Sequence, residues 1–171
     1  LSMPIITTPM GAHGLAHQSA EFGTARGTAE AGSLMEVSTT ANRSIEEIAA
    51  STKGPKWFQL YLLEDQNKSR DLIKRAEAAG YSAIVFSIDA FAPGSSDATI
   101  RMGFQFPPSL PLVNAGGSPF KRSLSWDDVR FIQETTTLPL VLKGVLTPEM
   151  APRALTHGVP ALPRYNRARP P

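Results

Sequence analysis

The chain has 171 residues, 42% of them hydrophobic and 19% charged, with a formal net charge of +2 and no cysteine. That length allows one domain burying roughly 70% of its unfolded surface, and no apolar run approaches the ~20 residues of a membrane helix. The lack of cysteine excludes a disulfide framework, a thiolate metal site and a thiol nucleophile. Arg164, Arg167 and Arg169 concentrate basic charge at the terminus, so the overall balance does not indicate a nucleic-acid partner. The first ten residues lack a basic region followed by an apolar stretch, so no signal peptide is read there and a cytoplasmic location is expected.

In chain order, short β-branched or apolar runs alternate with helical patterns. "MPIITTPM" reads as a strand, "SAEFGTARGTAEAG" as a helix, "GSLMEVST" as a strand, "SIEEIAAS" as a helix and "KWFQLYLL" as a strand. "NKSRDLIKRAEAAG" follows as a helix with Leu72, Ile73, Ala76 and Ala79 at helical spacing and Gly80 as its stop. "SAIVFSID" is the fourth strand. "SWDDVRFIQETT" is a helix that Ser125 and Asp128 start as a capping pair, and "LPLVLKGV" is the fifth strand. This alternation predicts an α/β fold with a parallel sheet. The Gly-, Pro- and Ser-rich stretch from Ala90 to Leu124 is too long for a simple connection and reads as a lid or binding loop, or else as a disordered insertion. After Gly158 the pattern fails, and residues 159–171 read as a Pro- and Arg-rich, disordered tail without a strand, following a domain over 1–158.

Functional groups in parallel βα proteins collect where strands run into the following loops. Here those positions hold Pro9, Met10 and Gly11, then Ser38, Thr39 and Thr40, Gln59 and Tyr61, Ser87 and Asp89, and Lys143 with Gly144. Such a set can satisfy the carbonyls and ring nitrogens of a flat heterocycle, with Lys143 placed to stabilise negative charge. The competing reading is that Gln59 and Ser87 only cap strand ends. Lys143 lies in the apolar run "LVLKGV" and must be paired or functional, because a buried unpaired ammonium is costly. His13 and His17 are four apart in "GAHGLAHQ", but Gly14 weakens a helix there and no third ligand follows, so no metal site is expected. The glycines of "GTARGTAEAG" do not follow the dinucleotide fingerprint, and His157 reads as an exposed helix residue.

"GAHGLAH", "FQLY", "AEAAGYSAIVFSID", "SLSWDDV" and "LVLKGV", in this order, resemble the FMN-dependent α-hydroxy acid oxidases and dehydrogenases, the family of lactate oxidase and glycolate oxidase. "GAHGLAH" looks most like lactate oxidase. The resemblance runs from about Met3 to Gly158 and implies a (β/α)8 barrel with FMN at its C-terminal face. It implies that the backbone of Pro9, Met10 and Gly11 lies by the flavin N5 side and that Ser38, Gln59 and Ser87 hydrogen-bond the ring. Lys143 would face N1 and the C2 carbonyl, Tyr61 would touch substrate, and Asp89 would support the site. The implied substrate is a small (S)-2-hydroxy acid such as lactate or glycolate. A homo-oligomer is compatible with the resemblance, and neither a nucleic acid nor a membrane is an expected partner.

Departures from the family pattern shape the remaining expectations. Ser87 replaces a usual threonine, and Ser96 stands where an arginine normally pairs with the substrate carboxylate. The N-terminal helical segment with its substrate tyrosine is not seen. The family's catalytic histidine, second substrate arginine and flavin-phosphate loops would lie beyond Gly158, which is read as a truncation by frameshift or aberrant splicing. The expected object is therefore a partial barrel of about five βα units with impaired oxidase activity. The alternatives are a non-catalytic half-barrel that assembles with itself or a complementary chain, and a βα domain for another phosphate ligand.

Overall fold

Five parallel strands pair in strict chain order: β1 (Ile6–Thr7), β2 (Leu34–Ser38), β3 (Lys56–Leu60), β4 (Ile84–Ser87) and β5 (Leu140–Lys143). The computed structural model describes residues 1–89, 97–159 and 161–162. An order with no reversal has no switch point and winds in one sense, as the wall of a (β/α)8 barrel does, and the five strands form a half-barrel. Prolines at 4 and 9 bracket the first run and hold β1 to two residues.

Alternation along the strands sends side chains to two different faces. Met35, Val37, Phe58, Leu60, Ile84, Phe86, Leu140 and Leu142 join the main core. Against them pack Ile45 and Ile48 of α2 (Ile45–Ser51), Leu72, Ile73 and Ala76 of α3 (Gln66–Ala78), and Val129, Phe131 and Ile132 of the helix Trp126–Thr135. The opposite face carries a small apolar layer of Ala83, Val85 and Val141 with Trp57 beside it. By the same alternation Glu36, Ser38, Gln59, Ser87 and Lys143 lie on that second face. Two further helices, α1 (Ala20–Glu30) and α6 (Met150–Thr156), follow β1 and β5.

Helix starts follow local chemistry. Ser44 and Glu47 form a reciprocal capping box on α2, and the Asp65 carboxylate accepts the Asn67 and Lys68 N–H groups of α3. At Trp126–Thr135, named α5 because the short α4 (Asp97–Arg101) precedes it, the Asp128 carboxylate accepts Ser125 N–H while Ser125 Oγ accepts Asp127 N–H.

The described part of the Ala90–Leu124 stretch is fastened down, which corrects the reading of a disordered insertion. Asn42 donates to the carbonyls of Leu110 and Pro111 at 3.1 and 3.0 Å. Asn114 accepts Ile45 N–H at 3.1 Å and donates to Arg43 O at 3.0 Å. Phe120 bridges to Leu63, and Lys121 N–H donates to Leu62 O at 2.7 Å. Two buried asparagines thus replace the regular ladder that the composition denies this segment. Residues 90–96, and with them Ser96, lie outside the described residues.

Among the described residues no strand follows Gly158, but the start of the tail is tied to the sheet by an isolated bridge. Val159 is fully buried, Ala161 forms a parallel bridge with Val141, and Leu142 N–H donates to Ala161 O at 3.2 Å. A carbonyl acceptor suffices for such a bridge, so a proline-rich composition does not forbid it. Arg164, Arg167 and Arg169 lie outside the described residues. His157 is exposed, as expected, but its ring stacks on Trp126 with centroids 4.2 Å apart and planes 5° from parallel.

Candidate functional site

At the C-terminal ends of the strands, one hydrogen-bonded row of polar side chains crosses the sheet. Ser38 Oγ donates to Gln59 Oε1 at 3.1 Å, and Gln59 Nε2 donates to Ser87 Oγ at 3.0 Å. Ser87 stands in register with Lys143 on β5. Gln59 is only 1% exposed. Burying a primary amide without partners would be costly, and the flanking hydroxyls remove that cost while fixing the amide plane.

Adjoining loops are tied to this row. Thr39 Oγ1 donates to Gln59 O at 2.7 Å and accepts Tyr61 N–H at 3.0 Å, which locks the ends of β2 and β3 together. Thr40 Oγ1 lies 2.9 Å from Ser38 Oγ, and Thr40 O accepts Ala12 N–H at 3.0 Å. A Cβ at Gly11 would fall 2.2 Å from Thr40 Oγ1, so only glycine permits this close approach. Buried Glu21 strengthens the junction, its Oε1 accepting the N–H groups of His13 and Asn42 at 3.3 and 2.9 Å. Pro9, Met10 and Gly11 are thereby brought beside the end of β2. Pro9 is half-buried, and Met10 is 53% exposed.

The cation of the row is held by a neighbouring carboxylate. Lys143 Nζ lies 4.0 Å from Asp89 Oδ1, with the two side chains 15% and 3% exposed. Gly144 has φ +102°, and a Cβ there would fall 2.7 Å from Asp89 Cβ and Cγ, so Asp89 packs into space that only glycine leaves. Tyr61 is half-buried, and its ring tilts against Phe120 with centroids 5.3 Å apart. Gln59, Ser38, Ser87, Lys143, Asp89 and the Gly11 loop are thus brought to one end of one face, with Tyr61 starting the loop beside them.

Reasoning from strand ends missed Glu36. It sits one inward position below Ser38 on β2, opposite Trp57, and is 3% exposed. Its Oε2 has no hydrogen-bond partner. Burial pushes its carboxyl up to about 7, against the pull of the Lys143 charge. The signal was present in "LMEVS", because a period of two that places Ser38 on the second face of the sheet places Glu36 there as well.

His13 and His17 turn to different partners. His13 Nδ1 lies 2.9 Å from Thr24 Oγ1 and His17 Nδ1 2.8 Å from Ser19 Oγ. Among the described residues no group of three or more His, Cys, Asp or Glu could hold a metal ion, and no helix is long and apolar enough to cross a membrane. Chemically, the row offers neutral donors and acceptors for a flat, carbonyl-rich ring, with a cation at one end.

Residues 1–162 match the family described as FMN-dependent dehydrogenase. Glycolate oxidase of Spinacia oleracea is 37% identical over 177 residues, covering 92% of this chain and 48% of the relative. Glycolate oxidase 1 of Zea mays matches with the same identity and coverage. Among solved structures, a mandelate oxidase variant with (S)-mandelic acid matches with a TM-score of 0.88 at 36% identity, covering 94% of this chain and 47% of that one. A mandelate oxidase variant with the C4a-OH-FMN adduct matches with a TM-score of 0.86. The chain spans about half the length of the curated relatives it matches.

Proposed function

The chain belongs to the FMN-dependent dehydrogenase family, and from that premise we propose that the Ser38–Gln59–Ser87–Lys143 row holds the ring of FMN for oxidation of a small (S)-2-hydroxy acid. The observation that carries this reading is the continuous bonding from Ser38 through Gln59 to Ser87, in register with Lys143. The donor set fits the group. Gln59 uses one amide hydrogen on Ser87, and Ser87 accepts it, so a second amide N–H and the Ser87 O–H remain to meet ring carbonyls and nitrogens.

When bound, FMN supplies a two-electron acceptor. The residues of this chain bind and orient. Ser38, Gln59 and Ser87 would hold the ring plane, with the backbone of Pro9, Met10 and Gly11 beside it. Lys143 places positive charge where negative charge develops, and Asp89 holds that ammonium in position. Tyr61 is assigned to the substrate side. Relatives named for glycolate and mandelate oxidation support a 2-hydroxy acid as substrate class, with lactate and glycolate as the first choices.

A second reading is a half-barrel that works by assembly with itself or a complementary chain. It is favoured by exposed Leu1 and Ile5 next to the short edge strand β1, since an unpaired apolar edge invites another strand. Sedimentation over a concentration series tests it, a monomer at all concentrations being the result against it.

Fluorescence quenching on titrating the 171-residue chain with riboflavin tests the flavin reading. Saturable quenching that Gln59→Leu shifts to higher riboflavin concentration is expected. No quenching by the parent chain would remove the reading.

A further inference from the structure

We propose that the cavity between α5, α6 and the helix-covered side of β4 and β5 is a second binding site, which takes a small carboxylic acid built on a single ring and holds its carboxylate on Arg153. The inference stands apart from the flavin reading, because this cavity and the Ser38–Gln59–Ser87–Lys143 row lie on opposite sides of the sheet.

The cavity measures about 290 Å3. Phe86 and Leu142 reach it from the core side of the strands, Trp126 and Val129 from the first turn of α5, and Met150 and Arg153 from the first turn of α6. At ~30 Å3 per water, the space equals about ten waters, which suits an acid of one ring rather than a nucleotide or a lipid chain. The Trp126 indole is held by a parallel stack on His157, with centroids 4.2 Å apart and planes 5° from parallel. A ring placed against an indole already fixed gains contact at little cost in ordering.

The polar side chains in the lining decide the charge of the ligand. Arg153 offers five N–H donors and no acceptor, and among the described residues it makes no ion pair and no side-chain hydrogen bond. Ser125 Oγ already accepts Asp127 N–H, which leaves its O–H to donate. The Trp126 indole N–H likewise meets no acceptor among the described residues. An apolar space edged by donors, one of them cationic, suits a head that only accepts and carries negative charge.

Neighbouring acids do not take that place. Asp127 pairs with Arg130 at 3.5 Å, and Asp128 accepts Lys121 Nζ at 2.5 Å and Ser125 N–H at 2.8 Å. Glu149, at the start of α6, is exposed and forms no ion pair among the described residues. A planar carboxylate meeting the guanidinium fork therefore displaces no protein partner. Phe86 and Leu142 are the chain neighbours of Ser87 and Lys143, so the acid lies behind the row without entering it.

Phenylacetate is the probe, because it has one ring and a carboxylate but lacks the 2-hydroxyl of the proposed substrates. Titration of the full chain, followed by two-dimensional amide NMR, should give saturable shifts centred on Ser125, Trp126 and Arg153. Phenylacetamide, alike in shape but neutral, should bind the parent chain about ten- to hundredfold more weakly, and so should phenylacetate to Arg153→Met. Arg153 is exposed, so its replacement should leave the fold intact, and the amide comparison needs no variant. No saturable shift, equal affinity for acid and amide, or unchanged affinity in Arg153→Met overturns the proposal. Displacement of phenylacetate by riboflavin would put the acid in the row and overturn it as well. Shifts at Ser125 and Trp126 that grow with protein concentration in the absence of acid would give the cavity to a second copy of the chain, again against the proposal. A chain that binds phenylacetate but not riboflavin loses the flavin reading alone.

Discussion

Gln59 Nε2 donates to Ser87 Oγ over 3.0 Å, joining two neighbouring strands through their side chains on one face of the sheet. Because Gln59 also accepts from Ser38, one amide holds three strands in a single polar row. That link makes the row sensitive to any change at its centre.

Gln59→Leu should therefore destabilise the fold and damage the site at once. The hydroxyls of Ser38 and Ser87 lose their partner in a buried setting, a loss of about 1–3 kcal/mol. Urea unfolding of the variant should show a lower midpoint. Riboflavin binding should weaken at least about tenfold, since each lost hydrogen bond of this kind is worth on the order of 1 kcal/mol or more. An unchanged affinity would place the ligand elsewhere.

Lys143→Met should lower the midpoint potential of bound riboflavin. The ammonium favours the reduced, negatively charged ring over the oxidised one, by roughly 1–3 kcal/mol, or about 20–60 mV for a two-electron couple. Spectroelectrochemical titration of parent and variant reads this directly. A potential unmoved by the substitution would reduce Lys143 to the structural partner of Asp89.

Gly144→Ala should cost about 1–3 kcal/mol, as expected for a side chain forced into a left-handed backbone. The position has φ +102°, and the new Cβ would sit 2.7 Å from Asp89. Thermal unfolding checks the stability loss. Weaker riboflavin binding should accompany it, because a displaced Asp89 no longer holds Lys143. Gly80→Ala has a positive φ but open space around its Cβ, and it should leave riboflavin binding unchanged.

The pH dependence of stability should show two carboxylates acting with opposite sign. Glu77 is lowered to about 2, first by its hydrogen bond with Lys74, then by bonds from Thr136 and Thr137. A depressed carboxyl stabilises the fold above its unfolded value of 4.5, and that contribution is lost as pH falls toward about 2. Glu36 is raised to about 7, so its contribution is complete below 4.5 and is lost as pH rises through about 7. Melting curves from pH 3 to 8.5 should show Glu77→Gln flattening the acid side and Glu36→Gln flattening the alkaline side. A Glu36→Gln protein no more stable relative to the parent at pH 8 than at pH 5 would contradict the burial of that carboxyl.

Much of the molecule was legible in the chain. The five strand runs and the helices between them appear where composition placed them, because apolar periodicity and Ser or Asp caps act over a few residues. Ser125 and Asp128 form their predicted pair for that reason. Ser38, Gln59, Ser87 and Lys143 could be singled out because polar side chains at the ends of buried strands need partners or a ligand.

Other features depended on which segments meet. Asn42 and Asn114 look like ordinary loop residues until the 97–124 segment folds back onto the ends of β2 and β3 and uses their amides as its ladder. Val159 and Ala161 find a place only because β5 presents a free edge N–H at Leu142. Glu36 shows the division most clearly. Its alternation with Ser38 is written in the sequence, and so is its face of the strand. Its chemistry is not, because the cost of its charge depends on how completely neighbouring strands exclude water, which is set by sheet pairing rather than by local residue order.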